Sequence, residues 1–326
     1  MRRIVDFYVQ RCSNVNICAL DLSKAFDKMN FHGLFLKLMQ RNFPAPLLSV
    51  FEYWFNNSAT CIKCDNFLST FYRIECGVRQ GGVLSPYFFA MYIDKIIQKI
   101  KSLKIGCEIC CFNLSILMYA DDIILCSPSV SSLQRMLWEC DRELAELDMV
   151  INATKTKCLR FGPDFKHNIR NLTTIDKNEI FWEVTVRYLG CFLVSKSNFS
   201  VSLDHCKRQF YIAFNSVYSK VGGIGKEDVI IHLLKTKCLP RLLYGLEAVP
   251  LLKSQINSLE YVISCALIKI FKTKSKEILF DCMTYFNVEK IESVLDRRRN
   301  SFLSKIKAKC LHNNILYYVI ENMTGL

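Results

Sequence analysis

Asp21 directly follows the apolar run Val15 to Leu20 (VNICAL), and Asp121 and Asp122 stand between two more apolar runs, Leu114 to Tyr119 and Ile123 to Cys126. If those runs are strands lying side by side, the three carboxylates converge. Carboxylate oxygens from neighbouring strands suit Mg²⁺, with Mn²⁺ as the alternative. Two such ions about 3.5–4 Å apart can activate a hydroxyl and stabilise the leaving oxygen of an in-line displacement at phosphorus. Each half also has a plainer explanation: Asp21 can cap a helix, and Ala120-Asp121-Asp122 can simply be a turn.

The elements that must position these groups are legible in outline. Val15 to Leu20 predicts a buried strand, and the runs on either side of Ala120-Asp121-Asp122 predict a hairpin with an acidic tip. Helices are expected over Phe31 to Asn42, from Pro46 through Phe55, and from Ser85-Pro86 to about Lys101. Thr60 to Cys76 predicts a strand pair turning at Asp65-Asn66. A helix capped by Ser131 or Ser132 is expected to run to about Leu147, and Phe181 to Val194 again predicts strands. From Leu203 onward the pattern is helical, with segments ending at Gly222-Gly223 and then around 227–249, 254–272 and 287–312. A boundary is expected near residue 200.

The wording around the carboxylates goes further. Leu20-Asp21-Leu22-Ser23-Lys24-Ala25-Phe26-Asp27, Gly77-Val78-Arg79-Gln80-Gly81-Gly82-Val83-Leu84-Ser85-Pro86 and Tyr119-Ala120-Asp121-Asp122 resemble, in order and spacing, motifs A, B and C of reverse transcriptases. The match is to those of non-LTR retrotransposons, LINE-like and jockey-type. Ile151 to Lys157 (INATKTK) looks like their motif D, Tyr188-Leu189-Gly190 like motif E, and Leu239 to Gly245 (LPRLLYG) like the helical stretch beyond the core. Five motifs in one order are specific, whereas YADD alone is not. RNA-dependent RNA polymerases usually carry Gly where Ala120 stands and a polar residue where Phe26 stands.

The resemblance implies an α+β fold: a polymerase palm of antiparallel sheet and packed helices over residues 1–200, then an all-α, thumb-like region over 201–326. It implies that the fingers are largely missing, with a remnant at 1–20, in an N-terminally truncated polymerase. It also implies roles. Asp21 and Asp121 hold two metal ions, with the Leu22 carbonyl as a further ligand and Asp122 beside them. Phe26 is a steric gate against a 2′-hydroxyl, although taken alone it reads as a core aromatic. Gln80 and Gly81 meet the nucleotide or template, and Arg79 and Lys24 meet phosphate. Lys155 protonates or steadies the leaving pyrophosphate, and Tyr188, Leu189 and Gly190 grip the primer. The implied partners are an RNA template, a DNA primer and deoxynucleoside triphosphates. The alternative is an inactive relic that only binds nucleic acid.

Composition agrees with a polyanion-binding globular chain. The 326 residues are 51% hydrophobic, carry 43 Lys and Arg against 30 Asp and Glu, and have a net charge of +13. Clusters such as Lys269, Lys272, Lys274 and Lys276, and the run Arg297 to Arg299, make the second part the more basic per residue. Such charge attracts nucleic acid without specifying fold. No apolar run reaches the roughly 18 residues of a membrane span, so no membrane partner is expected. The seventeen cysteines are scattered through apolar segments, which predicts free thiols of an intracellular, reducing compartment. Cys61-x-x-Cys64 and Cys107-x-x-Cys110 lack a second half at zinc-site spacing.

Overall fold

A computed structural model describes residues 1–309 except 223, 224 and 250. The described residues form two compact units, Met1–Leu189 with Val194–Phe199, and Gly190–Leu193 with the chain from Ser200 onward.

The first unit is built on one strand. After helix α1 (Arg2–Val9), β1 (Val15–Leu20) runs through the middle of the main sheet. Helices α2 (Phe31–Gln40) and α3 (Ala45–Asn56) follow. Next come two small ladders, β2 (Ala59–Thr60) with β5 (Tyr72–Arg73), and β3 (Lys63–Cys64) with β4 (Phe67–Leu68). The inner ladder turns at Asp65-Asn66 with Asp65 at φ 51. Helix α4 (Ser85–Ser102) leads through the short ladder β6 (Glu108–Ile109) and β7 (Phe112–Asn113) to the hairpin β8 (Ile116–Tyr119) and β9 (Asp122–Ser127), then to α5 (Val130–Ala145) and β10 (Lys157–Phe161). The ladder β11 (Leu172–Thr173) with β12 (Glu179–Ile180) and the strand β13 (Thr185–Tyr188) complete it.

The four-stranded sheet has the order β10-β1-β9-β8, antiparallel throughout. Cys18 and Leu20 of β1, with Ile123 and Leu125 of β9, face the cluster formed by Phe89, Tyr92 and Ile96 of α4 and Leu133, Leu137 and Cys140 of α5. Ile17, Ile124, Cys126, Leu159 and Phe161 are buried on the opposite face. A strand covered on both sides reads as a near-continuous apolar run, which is why VNICAL, Asn16 apart, shows no alternation. Its one buried polar side chain is satisfied: Asn16 donates to the Pro128 carbonyl at 2.9 Å and accepts from Arg160 Nε at 2.7 Å.

Two details of this unit differ from the expectations. β10 is not among the predicted strands, because its five residues carry Lys157 and Arg160 among buried Cys158, Leu159 and Phe161. Helix α5 begins earlier than expected, with Ser129 rather than Ser131 or Ser132 at its N-cap position and no side-chain cap bond. The first twenty residues supply α1 and β1, the latter over the run Val15 to Leu20 that predicts a strand.

The second unit contains β14 (Cys191–Val194), β15 (Val201–Ser202), α6 (Asp204–Val221), α7 (Glu227–Leu233), α8 (Leu239–Leu242), α9 (Lys253–Phe271), α10 (Lys276–Tyr285) and α11 (Ile291–Lys309). The expected helix over 227–249 is interrupted. Its middle widens into a π-helical turn over Leu234–Cys238, and a 3₁₀ turn follows at Leu246–Ala248. Pro240 explains the widening: it has no N–H to give and crowds the carbonyl four residues earlier, that of Thr236. Helix α10 leaves little trace in the sequence because only Leu279 of its ten residues is buried. Gly223 and the predicted helical stretch beyond Lys309 lie outside the described residues. No helix among those described is long and apolar enough to cross a membrane.

Candidate active site

Asp21 stands one residue beyond β1, where the ladder to β9 has ended at the Leu20 and Ile123 pair. Its backbone finds other partners. The Asp21 amide donates to Thr156 Oγ1 at 3.1 Å, and its carbonyl accepts from the Asn152 amide at 2.8 Å. Ser23 N–H donates to the Val150 carbonyl at 3.0 Å, so Leu22 opposes Ile151 between two flanking bonds. In that pattern the amide and carbonyl of Leu22 itself point away from the Ile151 strand. The Leu22 carbonyl is thereby left out of that ladder.

The β8–β9 hairpin brings the other two carboxylates. Tyr119 opposes Asp122, so Ala120 and Asp121 form a two-residue turn beside the end of β1. Such tight turns match the strand twist by taking positive φ, and Ala120 sits at φ 54. Burial and the nearby carboxylates of Asp121 and Asp21 together raise the Asp122 carboxyl above the usual range, while Arg187 pulls it back. Two like charges close enough to bear on a third, partly buried carboxylate form a site that a cation would relieve.

Two side chains border this acidic end. Lys155 Nζ lies 3.9 Å from Asp21 Oδ2, both groups being exposed. Tyr188, at the end of β13, is half-buried, and its phenol is pushed up to about 12 by burial and then by the Asp122 charge. Leu189 and Gly190 follow with φ 46 and 79, a tight turn leading into β14. Within the second unit, a Cβ on Gly190 would come within 2.9 Å of the Tyr244 ring.

Phe26 is half-buried and stacks on the buried Phe89 of α4, ring centroids 4.5 Å apart. Its carbonyl accepts from the Val78 amide at 2.8 Å, and the Met29 carbonyl from the Gly77 amide at 2.8 Å. These bonds fasten the segment after Asp21 to the loop before α4. On that loop the Arg79 carbonyl accepts from Ser85 Oγ at 2.6 Å and from the Gly82 amide at 3.0 Å. Arg79, Gln80 and Gly81 adjoin one another there, with Gln80 and Gly81 exposed, and Lys24 is exposed at φ 52.

The structure thus gathers Asp21, Asp121, Asp122, Lys155 and Tyr188, and holds Phe26 with the Arg79–Gly81 loop on an adjoining segment. Among the described residues no group of three or more His, Cys, Asp or Glu is placed to hold one metal ion together. The oxygens at this end are the carboxylates of Asp21, just past β1, and of Asp121 and Asp122 at the hairpin tip, together with the Leu22 carbonyl left out of its ladder. All are hard oxygens and fit Mg²⁺. Sequence reasoning singled out neither Phe89 nor Arg187, and took Thr156 and Asn152 only as letters of the Ile151 to Lys157 word. Only the turn-forming Asn152 carried a local signal.

An antiparallel palm sheet with acidic residues at the end of its central strand and at the adjoining hairpin tip defines a nucleic-acid polymerase core. The family described as "Reverse transcriptase (RNA-dependent DNA polymerase)" matches residues 4–193, more than half of the chain, and the chain belongs to that family. It is 26% identical over 153 residues to the Retrovirus-related Pol polyprotein from type-1 retrotransposable element R2 of Nasonia vitripennis, covering 46% of this chain and 14% of that one. It is 23% identical over 271 residues to the RNA-directed DNA polymerase from mobile element jockey of Drosophila melanogaster, covering 79% and 29%. The chain therefore spans less than a third of either relative. Among solved structures, the telomerase of Candida tropicalis in complex with a fragment of telomeric RNA aligns at TM-score 0.46 and 11% identity, over 88% of this chain and 51% of that one.

Proposed function

We propose that this chain is the catalytic core of a retrotransposon RNA-directed DNA polymerase, extending a DNA primer on an RNA template with deoxynucleoside triphosphates. The observation that carries the reading is the convergence of Asp21, just past β1, with Asp121 and Asp122 at the tip of the adjoining β8–β9 hairpin.

Asp21 and Asp121, with the Leu22 carbonyl, would hold Mg²⁺, or Mn²⁺ in its place. The bound ions would supply a hydroxyl activated at neutral pH and charge neutralisation at the leaving oxygens. Asp122 would add negative charge beside them, and the Lys155 ammonium, 3.9 Å from Asp21, would donate to a leaving pyrophosphate. The Phe26 ring, backed by Phe89, presents an apolar edge that favours deoxyribose over ribose. Gln80 and Gly81 offer an amide side chain and open space to a base or sugar, Arg79 offers charge to phosphate, and Tyr188 with the Leu189–Gly190 turn supports the primer end. The +13 charge favours the nucleic-acid backbone without regard to sequence.

The test is extension of oligo(dT) on poly(rA) with dTTP and Mg²⁺. Wild type should extend the primer and Asp121→Ala should not. Extension that survives Asp121→Ala overturns the metal assignment. Wild type that binds primer and template without extending overturns the polymerase reading in favour of a nucleic-acid binder.

A further inference from the structure

We infer that the turn Asn152 to Thr156 is a positioning device for Asp21, with the Thr156 hydroxyl as its key contact. This rests on the reading of Asp21 as a metal ligand and deepens it.

The need for such a device follows from where Asp21 sits. The ladder from β1 to β9 stops at Leu20, and the register between β1 and β10 stops at Ala19 opposite Lys157. A residue just past both would ordinarily have its backbone groups in water and its side chain free to swing. Here one short turn holds both. Thr156, fully buried, accepts the Asp21 N–H through Oγ1 at 3.1 Å, and the Asn152 N–H reaches the Asp21 carbonyl at 2.8 Å. With N–H and C=O both fixed, the direction of the Asp21 Cα–Cβ bond is fixed as well.

The turn is itself braced. The Asn152 carbonyl accepts the amides of Thr156 at 2.8 Å and Lys155 at 3.2 Å, while Asn152 Oδ1 accepts the Thr154 hydroxyl at 2.7 Å. Asparagine closes such turns because its side chain imitates a backbone carbonyl. The turn also aims Lys155, whose Nζ ends 3.9 Å from Asp21. Threonine at 156 is specific in its own way: a buried position next to the sheet would accept valine by shape, but only a hydroxyl offers Asp21 an acceptor.

Partners that orient a ligating carboxylate typically change metal affinity or activity by about 10- to 100-fold when removed. The experiment is Mn²⁺ binding to the whole chain, followed by the electron paramagnetic resonance of free Mn²⁺, together with primer extension. Thr156→Val should weaken Mn²⁺ by about tenfold and raise the Mg²⁺ needed for half-maximal extension, with KM for the nucleotide little changed. Thr156→Ser, which keeps the acceptor, should bind within about threefold of wild type, a small residual beside the full effect. Wild-type affinity in Thr156→Val, alongside lost affinity in Asp121→Ala, overturns the inference alone. Equal weakening by Val and Ser overturns it too, because the hydroxyl would not be the cause. If wild type binds Mn²⁺ no better than Asp121→Ala, the metal-site reading fails and this inference falls with it. Should Thr156→Val not fold, Asn152→Ala opens the same turn from its partly exposed end and carries the same expectation.

Discussion

The ring of Phe26 lies against the ring of Phe89, centroids 4.5 Å apart and planes 27° from parallel. Phe89 is fully buried in α4, so the half-exposed ring rests on a fixed surface. A gate works only if it cannot rotate away from the sugar it excludes. Phe26→Val should lower the preference for deoxynucleotides by roughly 10- to 100-fold, the scale on which an apolar pocket tells apart substrates that differ by one small group. Phe89→Leu, which leaves Phe26 in place, should lower it by a smaller factor and cost about 1–2 kcal/mol of stability. The ratio of kcat/KM for dUTP and UTP, which differ only at the 2′ position, measures both; unchanged ratios in both variants would remove Phe26 from the gate.

Asp122 carries a titration signature. Its carboxyl is raised by burial and by the charges of Asp121 and Asp21, so its folded pKa exceeds the unfolded one. The sign follows. Above the raised pKa the group is charged in both states and repelled only in the folded one, so it opposes folding; as pH falls through that pKa it takes up a proton preferentially in the folded state and the penalty fades. Asp122→Asn should therefore unfold at a higher temperature than wild type at pH 7, and the gap should close as pH drops below the ordinary carboxylate range. A gap that persists in acid would mean that charge repulsion is not its origin. Mg²⁺ should narrow the same gap at neutral pH.

The turn at the hairpin tip stores backbone strain. Ala120 sits at φ 54, a region disfavoured for any residue with a Cβ. Ala120→Gly should stabilise the chain by on the order of 1 kcal/mol in the folded turn, less the entropy that glycine adds to the unfolded chain. Ala120→Val should destabilise it, since a branched side chain fits this conformation worst. Thermal denaturation of the two variants should bracket wild type, and Val at or above Gly would show that the turn relaxes without strain.

How much of this is open to a reader of the residues depends on the kind of signal. β1 and the acidic hairpin are legible because a strand buried on both faces leaves a near-continuous apolar run, VNICAL, broken only by Asn16, and because Ala120-Asp121-Asp122 interrupts two more. Helices α2, α3 and α4 fall within a few residues of expectation, helped by Pro46 and Pro86 near their starts. β10 is hidden by Lys157 and Arg160, which interrupt its apolar residues; Arg160 reaches the buried Asn16 of β1. The positions of Asp21, Asp121 and Asp122 follow from the motif words, but the support beneath them does not. Thr156 holds a residue 135 positions away in the chain, and Phe89 backs a ring from a different element. No local pattern records either pairing.

Gly77 and Gly81 share nearly the same backbone conformation, φ 85 and 82, but meet different surroundings. A Cβ at Gly77 would fall 2.6 Å from the Asp27 carbonyl oxygen and 2.8 Å from its Cα, backbone atoms that cannot step aside without moving the segment that carries Phe26. At Gly81 nothing lies within 4 Å. Both alanine variants bear the conformational cost of positive φ, about 1 kcal/mol. Only Gly77→Ala adds a clash with backbone, and it should lower the unfolding temperature distinctly more than Gly81→Ala. Activity should separate them in the other sense. Gly81→Ala, which bears only the conformational cost, should raise KM for the nucleotide if a base or sugar approaches the open space beside it. Gly77→Ala should disturb discrimination against ribonucleotides by shifting Phe26. Equal stability of the two variants would mean that the Asp27 backbone yields freely, and the bonds joining the loop to the Phe26 segment would then not fix the ring.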